Sequence, residues 1–170
     1  MDRGFYSEDN INALFEKHYK FLIGVKTSLR LVQNILDDVR DSMKTRAFYS
    51  SDYGIYVYSK TIEWSYKAKK PRSEAIETGT RRVYLHLYFD DQKAVDDKTV
   101  FNSLLDTLEE EIMTNQRTQE HEPLYQKYYD ISTTPVRGTV LVPKQEAIHA
   151  VEKNYGYFAL MSNDIKDPLE

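Results

Sequence analysis

The chain has 170 residues, of which 41% are hydrophobic and 29% charged, a composition that fits one soluble domain or one domain interrupted by another. The absence of cysteine excludes disulfide frameworks, thiolate zinc sites and cysteine nucleophiles. The formal net charge of −4 argues mildly against a free-standing DNA-binding domain, because duplex affinity depends on Lys and Arg. No apolar run reaches bilayer length and the N-terminus has no signal-peptide pattern, so we expect a cytoplasmic protein with no membrane partner.

The first half of the chain is predicted to alternate helices and strands. Ser7 precedes Ile11, Leu14 and Phe15 at helical spacing, which indicates a short amphipathic helix with an N-cap. Further along, alternating apolar and polar residues are typical of strands, and proline, glycine and small polar residues predict a loop. The elements predicted are a helix at 7–17, a strand at 19–26, a helix at about 28–43, paired strands at 53–59 and 61–67, a loop at 70–80 and a strand at 81–89.

The second half is predicted to begin with the longest helix. Its apolar positions repeat at helical spacing and an acidic run, Glu109 to Glu111, lies near its end. At the other end of this half, Asp167 followed by Pro168 predicts a new helix, because the pair places an N-cap residue before a proline at the first helical position. The elements predicted between are a helix at about 91–115, a loop at 116–122, a strand in the second half of 124–142, a short helix at 144–153 and a strand at 155–162.

A basic cluster with neighbouring aromatics surrounds the predicted 70–80 loop. Basic charge interleaved with aromatic rings suits contact with a DNA backbone and an unstacked base. The alternatives are a solvated loop, whose positive field Glu74 and Glu77 weaken, and a packing role for Trp64, the only tryptophan. The candidate DNA-binding residues here are Trp64, Lys67, Lys69, Lys70, Arg72, Arg81 and Arg82.

No sequence motif indicates another catalytic or ligand-binding site. The four histidines show no zinc-binding spacing, and there is no phosphate-binding loop, dinucleotide fingerprint or nucleophile elbow. Acidic pairs such as Asp96-Asp97 are typical of helix starts and solvated faces. His86 and His149 are interpreted as ordinary, partly buried residues.

The opening run contains the best candidate for catalysis. Asp2 is followed by Gly4, suited to a tight turn, and by the Ser7 helix start. A carboxylate placed between a strand and such a helix is how many metal-dependent phosphoryl-transfer sites present a ligand. Arg3 is a candidate phosphate contact, although an Arg beside an Asp is more often a local ion pair.

Five segments resemble bacterial insertion-sequence transposases of the IS-four type. The resemblance implies an Asp-Asp-Glu metal triad on a ribonuclease-H-like fold, with Asp2 as the second acid and the other two outside this chain. It also implies Mg²⁺ or Mn²⁺ as cofactor, transposon-end and target DNA as partners, and a homodimer in the intact enzyme. The segments are Asp-Arg-Gly-Phe-Tyr-Ser-Glu at 2–8, Tyr-Lys-Phe-Leu-Ile at 19–23, Arg-Arg-Val-Tyr-Leu-His-Leu-Tyr-Phe at 81–89, Thr-Pro-Val-Arg-Gly-Thr at 134–139 and Asn-Tyr-Gly-Tyr-Phe-Ala-Leu-Met-Ser-Asn at 154–163.

The resemblance leads us to expect an α+β fragment, a partial ribonuclease-H-like core interrupted by a β-rich insertion domain. Residues 1–26 would belong to the core, 27–153 would form the insertion, and 154–170 would return to the core and begin the helix that carries the Glu. Such a chain is expected to be inactive alone. The alternative is a stand-alone acidic interaction module, or a truncated product that inhibits the full-length transposase.

Overall fold

The computed structural model describes residues 6–69 and 76–170, with the side chains of 67–69 and 76–77 left out. These residues form a mixed α/β structure, which confirms the predicted combination of helices and strands. The elements are α1 (Glu8–Glu16), β1 (Leu22–Val25), α2 (Arg30–Val39), a 3₁₀ turn (Arg46–Phe48), β2 (Tyr49–Ser50), β3 (Ile55–Lys69), β4 (Ile76–Phe89), α3 (Asp91–Met113), α4 (Glu122–Tyr128), β5 (Tyr129–Thr134), β6 (Gly138–Pro143), α5 (Gln145–Glu152) and β7 (Tyr157–Ser162).

The chain divides into two compact units. The first contains the chain up to Asp90 together with Tyr157–Glu170, and the second is Asp91–Gly156. Along the chain, the second unit is therefore inserted between β4 and β7 of the first, whose residues Phe89 and Tyr157 are directly paired. The two units are divided at other positions than the predicted domain boundaries. The assignment of the predicted domains to a core and an insertion remains a prediction.

The first unit is built on a five-stranded antiparallel sheet with the order β1-β7-β4-β3-β2. Strand alternation separates its two faces. One face carries Val83, Leu85 and Leu87, which alternate along the predicted strand 81–89 and are all fully buried. The helices α1 and α2 supply the apolar side chains that complete this core, which are Ile11, Phe15, Val32, Ile35, Leu36 and Val39.

Sequence and structure agree closely on α1. Ser7 has an extended backbone and its Oγ accepts a hydrogen bond from the Asn10 amide at 3.0 Å, the N-cap arrangement that the sequence predicts. Ile11 and Phe15 are four positions apart, so both face the sheet. The Phe15 and Tyr66 rings, 5.8 Å apart, fix the helix against β3.

Two sequence predictions in the next region are wrong. The segments 53–59 and 61–67 are not two paired strands but parts of one continuous strand, β3, which pairs with β4 from Tyr56 to Lys69. The polar Ser59-Lys60 step resembles a turn in sequence, but both residues have cross-strand partners. The predicted loop at 70–80 is also too long, because β4 begins at Ile76; residues 70–75 lie outside the described residues.

The second unit packs three helices and a hairpin around an apolar and aromatic cluster. The β5–β6 hairpin covers part of this cluster, and α4 is a helix that the sequence analysis missed, beginning at Glu122 with a proline in its first turn. The buried members are Phe101, Leu108, Ile112, Tyr125, Tyr128, Tyr129 and Ile148.

The helix start predicted at Asp167-Pro168 is present as a turn. The Leu169 amide donates to Asp167 Oδ1 at 3.0 Å, an N-cap type of contact, and no helix forms over residues 163–170. Among residues 6–69 and 76–170, no helix combines the length and the apolar character that crossing a membrane requires.

Candidate nucleic-acid interface

The outer part of the β3–β4 pair extends beyond the rest of the sheet. Pairing of β4 with β7 ends at Tyr84, and β2 pairs only with the first residues of β3. From Ile62 and Val83 outward, the two strands are paired only with each other among the described residues. We call residues 62–69 and 76–83 the β3–β4 arm. Each strand of the arm is about 26 Å long at the usual rise per residue.

One face of the arm is aromatic and carries a cation. Cross-strand pairing places Trp64 opposite Arg81 and Tyr66 opposite Gly79. The Tyr66 ring lies so close over Gly79 that a Cβ at this position would stand 2.6 Å from a ring carbon. The Arg81 guanidinium lies 5.2 Å from the centre of the same ring, in cation–π range.

Helix α1 packs against part of this aromatic face. The Trp64 indole nitrogen donates to Asn12 Oδ1 at 3.1 Å, and Phe15 contacts Tyr66. Trp64 is half-buried, so part of its ring remains accessible to solvent. Packing and exposure therefore coexist at this residue.

The opposite face of the arm is electrostatically mixed. Arg82 is exposed and pairs across the strands with Glu63, which is also exposed. Acidic side chains also lie near the aromatic face, because an open cleft of about 250 Å³ that is lined by Trp64 and Asn12 includes Glu8 and Glu63. Glu8 and Glu63 therefore weaken the positive field of the arm at this cleft.

The structure describes only part of the predicted site. Trp64, Arg81 and Arg82 lie on one arm, as the basic–aromatic cluster predicts. Lys67 pairs with Thr78 and Lys69 pairs with Ile76 in the strand register, but their side chains are outside the description. The remaining candidates, Asp2, Arg3, Lys70 and Arg72, all lie outside the described residues.

A buried polar cluster on the sheet face opposite the helices was missed by the sequence analysis. His86 is 1% exposed rather than partly buried. Its Nε2–H donates to the carbonyl oxygen of Ile165 at 3.0 Å, which leaves Nδ1 to accept from the Ser59 hydroxyl at 2.9 Å. Burial lowers the pKa of His86, and this favours the neutral ring that both hydrogen bonds require.

Tyr88 joins the same cluster. Its hydroxyl donates to the carbonyl oxygen of Pro168 at 2.7 Å, so two side chains of β4 hold residues 165–168 to the sheet. Burial, with the nearby Asp167 charge, raises the pKa of Tyr88 to about 12. The only sequence signal for this cluster is the alternation of the predicted strand 81–89, which puts His86 and Tyr88 on the face opposite Leu85 and Leu87.

Metal ligands are not brought together within the described residues. Residues 6–69 and 76–170 contain no group of three His, Asp or Glu side chains that could hold an ion. The proposed ligand Asp2 lies outside them, so the assignment of Mg²⁺ or Mn²⁺ remains a prediction.

Comparisons with protein-family models, with curated protein sequences and with solved structures found no match for this chain.

Proposed function

We propose that this chain is part of an IS-four type transposase, and that its β3–β4 arm contacts transposon-end DNA. Five segments spread from residue 2 to residue 163 support the family assignment, and the mixed α/β structure is compatible with it. The proposal includes a partial ribonuclease-H-like core, an insertion domain, and a homodimer acting on transposon-end and target DNA in the intact enzyme.

The observation that carries the DNA-binding role is the arm itself. A two-stranded antiparallel ribbon is narrow enough to enter the major groove of duplex DNA. Arg81 and Arg82 project from opposite faces of this ribbon, so each can neutralise a different phosphate. Trp64 and Tyr66 add ring faces on which an unstacked base can rest.

Catalysis is assigned to the intact enzyme and not to the described residues. There, Asp2 would supply one carboxylate to Mg²⁺ or Mn²⁺, and the ion would supply Lewis-acid chemistry for phosphoryl transfer. The described residues do not provide a matching set of ligands, and we derive no step through the metal from them. The purified chain is expected neither to nick nor to join DNA.

Trp64 provides the test, because it is the only tryptophan and lies on the arm. Its emission should change when a mixed-sequence duplex is titrated into the whole chain. The double variant Arg81→Gln with Arg82→Gln should bind more weakly and reduce the salt slope of log K by about 2, since two phosphate contacts are lost. The control, Lys98→Gln with Lys127→Gln, removes the same charge from the second unit. Equal affinity and equal salt slope in both variants would contradict the proposal.

An acidic interaction module is the second candidate. Residues 91–156 have an excess of acidic side chains, and Asp96, Asp106, Glu109 and Glu110 are exposed on α3. Such a surface repels DNA and suits a basic protein partner. Binding to an intact transposase of this type, together with no Trp64 response to DNA, would favour this candidate.

A further inference from the structure

The β5–β6 hairpin ends in an exposed apolar tip. Between the two strands, Pro135, Val136 and Arg137 form the turn, and Val136 is 93% exposed, more than any other large hydrophobic residue of the described chain. A single exposed valine is common on protein surfaces. This one differs in its position at the end of a projecting, two-stranded ribbon.

The tip is held in one conformation. The Arg137 amide donates to Thr134 Oγ1 at 3.1 Å, and the Thr133 and Thr139 hydroxyls lie 3.2 Å apart across the strands. Gly138 has φ +68°, a backbone conformation that glycine adopts without strain, and Pro135 has a fixed φ. The tip is therefore preorganised, and a partner need not order it on binding.

The hairpin projects from a firmly packed base. Tyr129 is 2% exposed, and Ile131 and Leu141 pack against the buried cluster of the second unit. Beyond this base, residues 132–138 are exposed without exception. The outer ribbon is thus free of the core while its root is fixed.

Charge distinguishes the hairpin from the rest of its unit. Residues 131–143 contain no Asp or Glu and include Arg137, whereas the unit as a whole is rich in acidic side chains. At the root, Lys144 donates to the Gln126 carbonyl oxygen at 2.7 Å and lies 3.2 Å from Asp130. A polyanion is therefore attracted to the tip and repelled from α3.

We propose that this hairpin inserts its tip into the minor groove of duplex DNA, with Pro135 and Val136 entering between two base pairs and Arg137 contacting a phosphate. Apolar side chains, proline included, act as such wedges in proteins that bend DNA from the minor groove. This inference rests on the proposed function, because it takes DNA as the partner. It adds a second contact with DNA, beside that of the β3–β4 arm. It also predicts a kink in the duplex, which binding by the arm alone does not require.

The test uses the whole chain and an A·T-rich duplex that contains 2-aminopurine and carries a fluorescent donor and acceptor at its ends. Binding should raise 2-aminopurine emission, because its base step unstacks, and should shorten the end-to-end distance. In Val136→Ser the emission increase should be about threefold smaller, while affinity changes little because phosphate contacts dominate it. Because Val136 is exposed, we expect Val136→Ser to leave the fold intact.

The matched control is Val100→Ser, at a valine on α3 that is 70% exposed; it should behave as the unaltered chain does. An equal emission increase in Val136→Ser and the unaltered chain, with DNA bound in both, overturns the wedge while leaving the proposed function intact. Failure of the unaltered chain to bind DNA overturns both. Concentration-dependent self-association that Val136→Ser abolishes, without unstacking of the duplex, overturns the wedge in favour of contact with a second copy.

Discussion

His86 shows how a single buried side chain couples this fold to pH. In the folded chain its ring is enclosed by β3, β4 and residues 165–168, and burial lowers its pKa, opposed by the Ile165 hydrogen bond and the Asp167 charge. In the unfolded chain the pKa returns to about its ordinary value of 6.5. Below that value the unfolded state binds a proton that the folded state does not, so the free energy of unfolding decreases as the pH falls towards the folded pKa.

The first prediction follows from this linkage. The unaltered chain should have a lower urea midpoint at pH 5.5 than at pH 7.5. The His86→Gln variant should be less stable than the unaltered chain at pH 7.5, but its urea midpoint should fall less on acidification. Trp64 emission is the measurement. The control is His149→Gln, because the His149 side chain is 83% exposed. A His86→Gln chain that keeps the full pH dependence would show that another group is responsible.

A second residue-scale prediction concerns Tyr125 in the second unit. Its buried hydroxyl donates to Glu111 Oε2 at 2.5 Å and accepts from the Thr118 amide, while His121 Nδ1 lies 2.8 Å from the same carboxylate oxygen. These contacts lower the pKa of Glu111, the Tyr125 hydrogen bond most strongly. A lowered carboxyl pKa stabilises the fold above the ordinary value of 4.5, and this contribution is lost as the pH falls through the folded pKa.

Tyr125→Phe should therefore raise the pKa of Glu111 and lower the unfolding midpoint more at pH 7 than at pH 3. Carboxyl-detected NMR titration reports the pKa, and urea unfolding reports the midpoint. The control is Tyr53→Phe, because Tyr53 is 61% exposed. An unchanged Glu111 titration in Tyr125→Phe would assign the shift to His121 instead.

At the scale of elements, the β3–β4 arm depends on a glycine covered by a tyrosine ring. Gly79 lies directly opposite Tyr66, and an added Cβ would overlap the ring. Gly79→Ala should displace the ring from its contacts with Phe15 and Arg81, and should destabilise the chain by about 1 kcal/mol, the low end of the usual cost of overpacking, because the new Cβ meets the far end of a side chain that can shift.

The same substitution in a Tyr66→Ala background should cost much less, because the overlap is gone. Urea unfolding followed by circular dichroism gives all four free energies of this cycle. Additive effects of the two substitutions would contradict the ring-on-glycine contact. The contrasting control is Gly138→Ala, where an added Cβ meets no atom within 4 Å and only backbone strain at φ +68° is expected.

The sequence predicts elements best where one face dominates. The helix predicted at about 28–43 and the strand predicted at 81–89 are found as α2 and the inner part of β4, because burial on one side imposes a period on the sequence. The continuity of β3 is not predictable in this way. Among the described residues, its outer half pairs only with β4 in a two-stranded arm, and the alternate residues Trp64 and Tyr66 contact α1, so no continuous run of buried apolar residues marks the strand in the sequence.

At the scale of the whole molecule, the sequence brings the right residue types together but not their register. Trp64, Arg81 and Arg82 are predicted as one cluster, and the arm unites them. The register of β3 and β4 decides which of these residues share a face, and it places Glu63 beside Arg82. Local sequence patterns do not encode this register, because the paired residues are almost twenty positions apart. The His86 cluster was missed for the same reason, because its partners Ser59 and Ile165 are remote in sequence.

The last prediction concerns how the second unit enters the first. Phe89 and Tyr157 are paired on adjacent antiparallel strands with ring centres 4.8 Å apart, and residues 91–156 contribute no strand to the five-stranded sheet. Replacing residues 91–156 with Asn-Gly leaves Asp90-Asn-Gly as a three-residue loop, a common hairpin connection with glycine at its left-handed position. The shortened chain should retain a single cooperative urea transition and the Trp64 emission maximum of the complete chain.

The shortened chain should also separate the two DNA contacts. It keeps the β3–β4 arm, so binding to the 2-aminopurine duplex should persist, but it lacks the β5–β6 hairpin, so the duplex should no longer be unstacked. An unfolded product, seen as Trp64 emission at the urea-denatured position without urea, would show that the sheet needs the second unit to fold. A folded product that still unstacks the duplex would instead assign the wedge to the first unit, since every residue of the proposed tip has been removed.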